Sequence, residues 1–164
     1  IVVTRADGTL GILETPTVGS AVAINDLADQ IHQYNGAVWV RKRTQPLTRD
    51  QSERLSKFAQ AQVGKPYDFG RLALMPLLRP LQLLPKSPIE DTDPDSWCWF
   101  CSSLVISCCA AADLIDPGQV RPCFVCPTDL MNDCLLDLSV SWSKPIRCEF
   151  QSQPMAVQKR ASLP

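Results

Sequence analysis

The most constraining stretch of this sequence is residues 97–113, WCWFCSSLVISCCAAAD, in which the only charge is the last residue. From residue 100 to residue 112 the only polar side chains are serines. A helix that is apolar on every side belongs in the interior of a domain, and this one is far too short to span a bilayer. Asp95 or Ser96 is expected to cap its first turn. The sequence therefore predicts a buried central helix with Cys101 near its start.

Cys101 has two interpretations at this position. The N-terminus of a helix carries partial positive charge, which stabilises a thiolate and lowers its pKa, as a cysteine nucleophile requires. A free cysteine packed as a small hydrophobic side chain is the more frequent outcome on helix placement alone. The helical spacing of Cys101, Val105, Cys108 and Ala112 predicts that they share one stripe.

Composition limits the class of protein. The 164 residues suffice for one domain with a proper core, and 45% hydrophobic against 20% charged residues is ordinary for a globular protein. The net charge of −1 provides no field that would attract nucleic acid, so no nucleic-acid partner is expected. No targeting segment is visible, and because the chain opens with Ile1 inside an apolar run, we expect an excerpt from a longer reading frame.

The eight cysteines are many for this length. Cys101, Cys108 and Cys109 share the proposed helix, so they cannot pair with one another, and a full disulfide framework is not expected. A reducing compartment is therefore slightly favoured. The pairs Cys98-x-x-Cys101 and Cys123-x-x-Cys126 permit a zinc-stabilised interaction domain, but they stand slightly farther apart than paired zinc sites usually do. The expectation is that the chain binds no metal and no cofactor.

Periodicity and turn signals predict an α+β domain over residues 1–150 and a disordered tail over 151–164. A D-G turn joins the first two strands into a hairpin.

Arg41, Lys42 and Arg43 are interpreted as a solvated strand end. The predicted strands are 1–4, 10–15, 18–24, 37–43, 140–143 and 146–150, and the predicted helices are 26–34, 48–63, 97–113 and 127–134.

Residues 71–85, RLALMPLLRPLQLLP, are more apolar than a surface loop needs, and their prolines exclude one continuous helix. A buried connection and an apolar patch that contacts lipid or a membrane surface are equally compatible with this composition.

Three motifs in order now resemble one family. GTLGILETPTVGSAV, VGKPYDFG and WFCSSLVISCC are similar to segments of the circularly permuted papain-fold enzymes of the NlpC superfamily, the YiiX/YaeF-like amidases. The similarity extends to about residue 145. It implies a papain-like fold with circular permutation, in which a small antiparallel sheet packs on a central buried helix that bears the cysteine.

The resemblance also implies the site. Cys101 takes the place of the nucleophile, and Glu14 takes the place of the acidic residue that orients a histidine. Tyr67, Asp68 and Ser102 take substrate-binding positions. The implied function is a thiol hydrolase, of the amidase, peptidase or acyl-transfer type, that acts on amide or ester bonds of peptide or lipid conjugates. The alternative for Glu14 is a solvated side chain on an outward sheet face.

Two departures from the family pattern keep other functions open. Ser103 stands where the family usually has glutamate, and the family's histidine is not among these residues; its expected place is just upstream of Ile1. His32, the single histidine, lies on a short predicted helix rather than on the hairpin. A catalytically incomplete module of the same fold, binding lipid or a protein partner, is therefore the alternative to the enzyme.

Overall fold

The computed structural model describes residues 1–15, 21–67, 73, 99–116, 118–134 and 136–148. In these parts of the chain it is a mixed α+β structure with two small antiparallel sheets, which confirms the predicted class. Single 3₁₀ turns occupy Pro122–Phe124 and Leu138–Val140. The strands are β1 (Val2–Thr4), β2 (Leu10–Glu14), β3 (Ala23–Asp26), β4 (Val38–Val40) and β5 (Ile146–Cys148), and the helices are α1 (Leu27–Gln33), α2 (Arg49–Gln62), α3 (Cys101–Ala111) and α4 (Pro127–Asn132).

The first sheet is the predicted hairpin with a third strand added, in the order β1-β2-β3. Gly8 has a φ of 82°, and its amide donates to the carbonyl of Arg5 at 3.0 Å, so the predicted D-G turn is confirmed. Val3 pairs with Gly11, and Leu13 pairs with Ile24. Because side chains alternate along a strand, these residues share one face, which is the buried face of the sheet.

The main core forms where this sheet face, α2 and α3 meet. Helix α2 begins with the predicted capping box: the Thr48 hydroxyl accepts from the Gln51 amide at 3.2 Å, and the Gln51 side chain accepts from the Thr48 amide at 3.1 Å. Gly64, with a φ of 88°, follows the end of the helix. The buried members of this core are Val3, Leu13, Val22, Leu55, Ala59, Trp99, Leu104, Cys108 and Ala112.

A second core covers another side of α3. Ile106 packs there with side chains from the segment that follows the helix, and all of these side chains are nearly inaccessible to water. With apolar neighbours on both sides, α3 is the central buried helix that its sequence predicts, but it spans Cys101–Ala111 rather than 97–113. Trp99 forms a bridge and Phe100 is extended, so the helix begins only after them. The partners of Ile106 are Val120, Val125, Leu136 and Leu138.

The C-terminal part departs from the sequence prediction. The predicted strand 140–143 is wrong: Leu138–Val140 is a 3₁₀ turn, and Trp142 forms only an isolated bridge with Arg43. The guanidinium of Arg43 instead lies 4.9 Å from the ring centroid of Trp142, a cation–π contact. β4 pairs with β5 over Val38–Val40, so it is shorter than predicted.

Arg41 is not a solvated strand end, as the run of basic residues suggested. Its side chain is only 11% exposed, and its guanidinium donates to the carbonyls of Leu130 and Ser143 at 2.8 and 2.9 Å. It also donates to the Asp133 carboxylate at 2.6 Å. This one side chain therefore joins β4, the end of α4 and the segment before β5.

Several predictions fall outside the described residues. They are the part of the 18–24 strand up to residue 20, the Leu/Pro segment 71–85 apart from residue 73, the end of the last strand at 149–150, and the tail 151–164. Within the described chain, no helix combines the length and apolarity needed to cross a bilayer.

We expect Asp133→Asn to lower the free energy of unfolding by about 1–2 kcal/mol near neutral pH, because Arg41 would lose a charged acceptor. Asn tolerates the left-handed backbone of Asp133, whose φ is 54°, so the charge is the main change. Urea unfolding of both proteins measures the difference.

The stability difference between the unsubstituted protein and Asp133→Asn should depend on pH. The Arg41 hydrogen bond holds the pKa of the Asp133 carboxyl below its usual value, so its stabilisation is complete above about pH 4 and is lost as the pH falls further. The difference between the two proteins should shrink in that acidic range. Asp29→Asn, on the exposed side of α1, is the control and should change stability much less. Equal effects of the two substitutions would contradict a specific Arg41–Asp133 contribution.

Candidate functional site around Cys101

Cys101 is the first residue of α3 and is exposed. Further along the same helix, Cys108 and Cys109 are buried, so the predicted stripe is exposed at its first residue and buried toward its end. In the first turn of a helix the backbone N–H groups have no intrahelical acceptor, and their partial positive charge favours an anion at that end. The thiol of Cys101 thus combines access to solvent with the positive end of the helix.

The cap of α3 comes from within the helix rather than from the predicted residues. Ser103 Oγ accepts from the Phe100 amide at 3.2 Å and donates to the Phe100 carbonyl at 2.8 Å. Asp95 and Ser96 lie outside the described residues. Ser103, the residue that departs from the family pattern, therefore stabilises the start of the helix that carries Cys101.

Trp99, two residues before Cys101, pairs with the turn that contains the GKPY motif. The Trp99 amide donates to the Pro66 carbonyl at 3.0 Å, and Tyr67 forms a parallel bridge with Trp99. Tyr67 is half-buried and lies next to the segment that precedes Cys101; its substrate-binding role stays a prediction. Asp68 lies outside the described residues.

The side-chain amide of Gln62 bonds to this segment, and the sequence did not predict this contact. Gln62 is fully buried, and its Oε1 accepts from Trp99 Nε1 at 3.0 Å and from Lys65 Nζ at 2.8 Å. Its Nε2 donates to the Phe58 carbonyl at 3.0 Å. The sequence signal was a polar residue on the inner side of an amphipathic helix, since a buried amide requires partners for both of its ends.

Ser102 is not on a surface that a substrate reaches. Its side chain is 2% exposed, and its hydroxyl donates to the Val125 carbonyl at 2.5 Å. This bond ties the first turn of α3 to the 3₁₀ turn at Pro122–Phe124. The geometry therefore assigns Ser102 to packing, and it does not support the predicted substrate contact.

Glu14 ends β2 on the face of the sheet opposite the core. It is half-buried, and its Oε1 accepts from Asn25 Nδ2 at 2.9 Å across the β2–β3 pair. Among the described residues, no hydrogen bond joins Glu14 to Cys101. The orienting role that the resemblance implies for Glu14 stays a prediction.

His32 is exposed in the last turn of α1, a helix that contacts β2 and β3. The described contacts do not bring it to Cys101. The residues that the structure links to the start of α3 are thus Tyr67, through its bridge to Trp99, and Ser103, through its bonds to Phe100. No hydrogen bond or ion pair among the described residues links Glu14 or His32 to it.

The other cysteines differ in environment from Cys101. Burial raises the pKa of the Cys108 thiol to about 12 and that of the Cys109 thiol to about 11, so both stay protonated near neutral pH. The proposed zinc ligands Cys101, Cys123 and Cys126 do not gather: no three His, Cys, Asp or Glu side chains in the described chain lie close enough to share a metal ion. Cys98 lies outside the described residues.

Comparison with known proteins leaves the family open, since no family model, no curated protein and no solved structure gives a significant match to this chain.

We expect the thiols to alkylate in an order that follows their exposure. In the native protein near pH 8, Cys101 and the exposed Cys134 should react with iodoacetamide, whereas Cys108 and Cys109 should react only after unfolding, because burial keeps them protonated. Peptide mapping by mass spectrometry at successive times measures each rate. Modification of Cys108 as fast as Cys134 in the folded protein would contradict this arrangement of α3.

Proposed function

We propose that this protein is a thiol hydrolase that acts through Cys101 on amide or ester bonds of peptide or lipid conjugates. The observation that carries the proposal is the exposed Cys101 at the first residue of a helix whose other cysteines are buried. A reactive cysteine needs both access and a positive local field, and Cys101 has the two together.

The chemistry that this placement supports is acyl transfer. The Cys101 thiolate attacks the carbonyl carbon, the proton that the thiol gave up goes to the leaving amine or alcohol, and a thioester remains on Sγ. Water then attacks the thioester and releases the acid and the thiol. The backbone N–H groups of the first turn of α3 have no intrahelical acceptors, so they are suited to hold the oxyanion.

The proposed fold is the papain-like fold of the NlpC superfamily in its permuted form. Its support is the order of parts along the chain: the hairpin with Glu14 comes first, then Tyr67 beside Trp99, then the helix with Cys101. The hairpin and the helix contribute to one core. These features support a permuted arrangement, in which the strands precede the nucleophile helix.

The role of Glu14 depends on a histidine that the described chain does not place beside it. Ile1 and Leu13 exchange backbone hydrogen bonds of 3.1 and 2.8 Å. In an antiparallel pair the next residue upstream would therefore stand opposite Glu14, and every second residue would share its face. The proposed orienting role of Glu14 would require a histidine at such a position.

The alternative function is a binding module of the same fold that performs no chemistry. Two observations favour it: the Glu14 carboxylate is already occupied by Asn25, and His32 lies exposed on α1. Its ligand would be a lipid surface or a protein partner, reached through the Leu/Pro segment 71–85. The zinc-stabilised interaction domain is less favoured, because its described ligands are not grouped.

Replacement of the nucleophile tests the enzyme. Cys101→Ala should abolish the acyl-enzyme adduct that intact-mass spectrometry detects after incubation with p-nitrophenyl esters, because no other described thiol is both exposed and at the start of a long helix. Turnover should fall by at least about a thousandfold, as loss of a covalent nucleophile usually causes.

Cys134→Ser is the matched control, since Cys134 is also exposed but does not lie in a helix. It should leave the adduct and the turnover unchanged. An adduct that persists in Cys101→Ala, or no adduct in the unsubstituted protein with acyl chains of any length, would contradict the hydrolase proposal.

The binding alternative predicts vesicle association through residues 71–85. Replacing Leu77 and Leu78 with serine should reduce co-sedimentation with phosphatidylcholine vesicles, because two apolar side chains would no longer leave water on binding. Leu10→Ser, at an exposed leucine on the first sheet, is the control and should not change it. Equal binding of the double variant and the unsubstituted protein would exclude a lipid contact at this segment.

A further inference from the structure

The side chain of Gln62 links α2, the turn that follows it and the segment that leads to Cys101. It belongs to the last residue of α2, it accepts a hydrogen bond from Lys65 in the following turn, and it accepts another from Trp99, two residues before Cys101. Gln62 and Trp99 are 0% and 5% exposed. A bond between two such buried groups cannot be replaced by water without a rearrangement.

Trp99 is held on several sides at once. Its ring meets Phe58 edge to face, with centroids 6.2 Å apart, and Lys65 Nζ lies 5.9 Å from its centroid. The Trp99 amide is bonded to the Pro66 carbonyl. Among these contacts, the bond from Nε1 to Gln62 fixes the rotation of the indole, because only that atom donates from the ring.

One buried residue connects this indole to the start of α3. Phe100, the only residue between Trp99 and Cys101, is the N-cap and is 1% exposed. Because interiors are close-packed, a displacement of Trp99 would be expected to reach Phe100 and the first helical residue, Cys101.

We propose that Gln62 is a positioning residue for Cys101, which acts through the Gln62–Trp99 hydrogen bond to hold the thiol at the N-terminus of α3. This inference rests on the proposed function and deepens it, because it names a second residue, besides Cys101, on which the reactivity of the thiol depends. Gln62 does not touch the substrate in this proposal. Its effect reaches the thiol through Trp99 and the helix cap.

The test is the alkylation rate of Cys101 from about pH 5 to about pH 9, measured by peptide mass spectrometry for matched variants. Gln62→Met keeps the volume and removes the acceptor, whereas Gln62→Glu keeps an acceptor for both Trp99 and Lys65. Both substitutions remove the donor to the Phe58 carbonyl, so comparing them isolates the acceptor. Trp99→Phe keeps a ring and removes the donor. Lys65→Met removes the charge and leaves the Gln62–Trp99 bond in place.

Gln62→Met and Trp99→Phe should each slow the alkylation of Cys101 on the order of tenfold and move the midpoint of its pH profile upward. The double variant should be no slower than Gln62→Met, since the Gln62–Trp99 bond is lost in both. Lys65→Met should stay within about twofold of the unsubstituted protein, and Gln62→Glu should be faster than Gln62→Met.

Two thiols report on the fold in the same digest. Cys108 and Cys109 stay unreactive while α3 is packed, so slow alkylation of Cys101 with these two protected is a local effect. If Gln62→Met exposes these two thiols, the result for Trp99→Phe decides whether the Gln62–Trp99 bond affects Cys101. Gln62 keeps its bonds to Lys65 and Phe58 in that variant. An unchanged rate and midpoint for Cys101 in the folded variants would overturn the inference.

The same data separate this inference from the proposed function. If Cys101 of the unsubstituted protein reacts no faster than Cys134 and with the same pH midpoint, the thiol is not activated, and both proposals fail. If Cys101 is activated and the variants do not change it, the hydrolase proposal stands and the role of Gln62 is refuted.

Discussion

The burial of α3 is the constraint on which the rest of this structure depends. An eleven-residue helix without a charged side chain is stable in water only when other segments cover it. Leu104, Cys108 and Ala112 are covered by α2 and the first sheet, and Ile106 is covered by the segment after the helix. The other elements are thus arranged around α3, and both cores of the described chain include it.

The same burial divides the cysteines of α3 into two chemical classes. In the body of the helix, removal from water raises the pKa values of Cys108 and Cys109, so these thiols serve as packing groups. At its first residue the helix reaches the surface, and Cys101 is exposed at the end where backbone N–H groups lack intrahelical acceptors. One element therefore supplies both the centre of the core and the candidate nucleophile.

Buried polar side chains connect the segments that apolar packing alone would leave in several relative positions. Gln62 joins α2 to Trp99, Ser102 joins α3 to the Val125 carbonyl, and Arg41 joins β4 to α4 and to the segment before β5. Hydrogen bonds are directional, whereas apolar contacts are not. These bonds specify how the segments meet, and Gln62 does so at Trp99, two residues before Cys101.

What the sequence determined by itself is local. The D-G turn, the Thr48–Gln51 capping box and the apolar composition of α3 each depend on neighbouring residues, and all three are confirmed. Only the tertiary structure decided that Ser103 caps α3, that Ser102 is buried, that Arg41 pairs with Asp133 and that Gln62 holds Trp99. Most of these contacts join residues far apart in the chain, so periodicity and propensity carry no information about them. For Ser103, the capping partner was hidden because an apolar residue, Phe100, occupies the N-cap position that normally signals it.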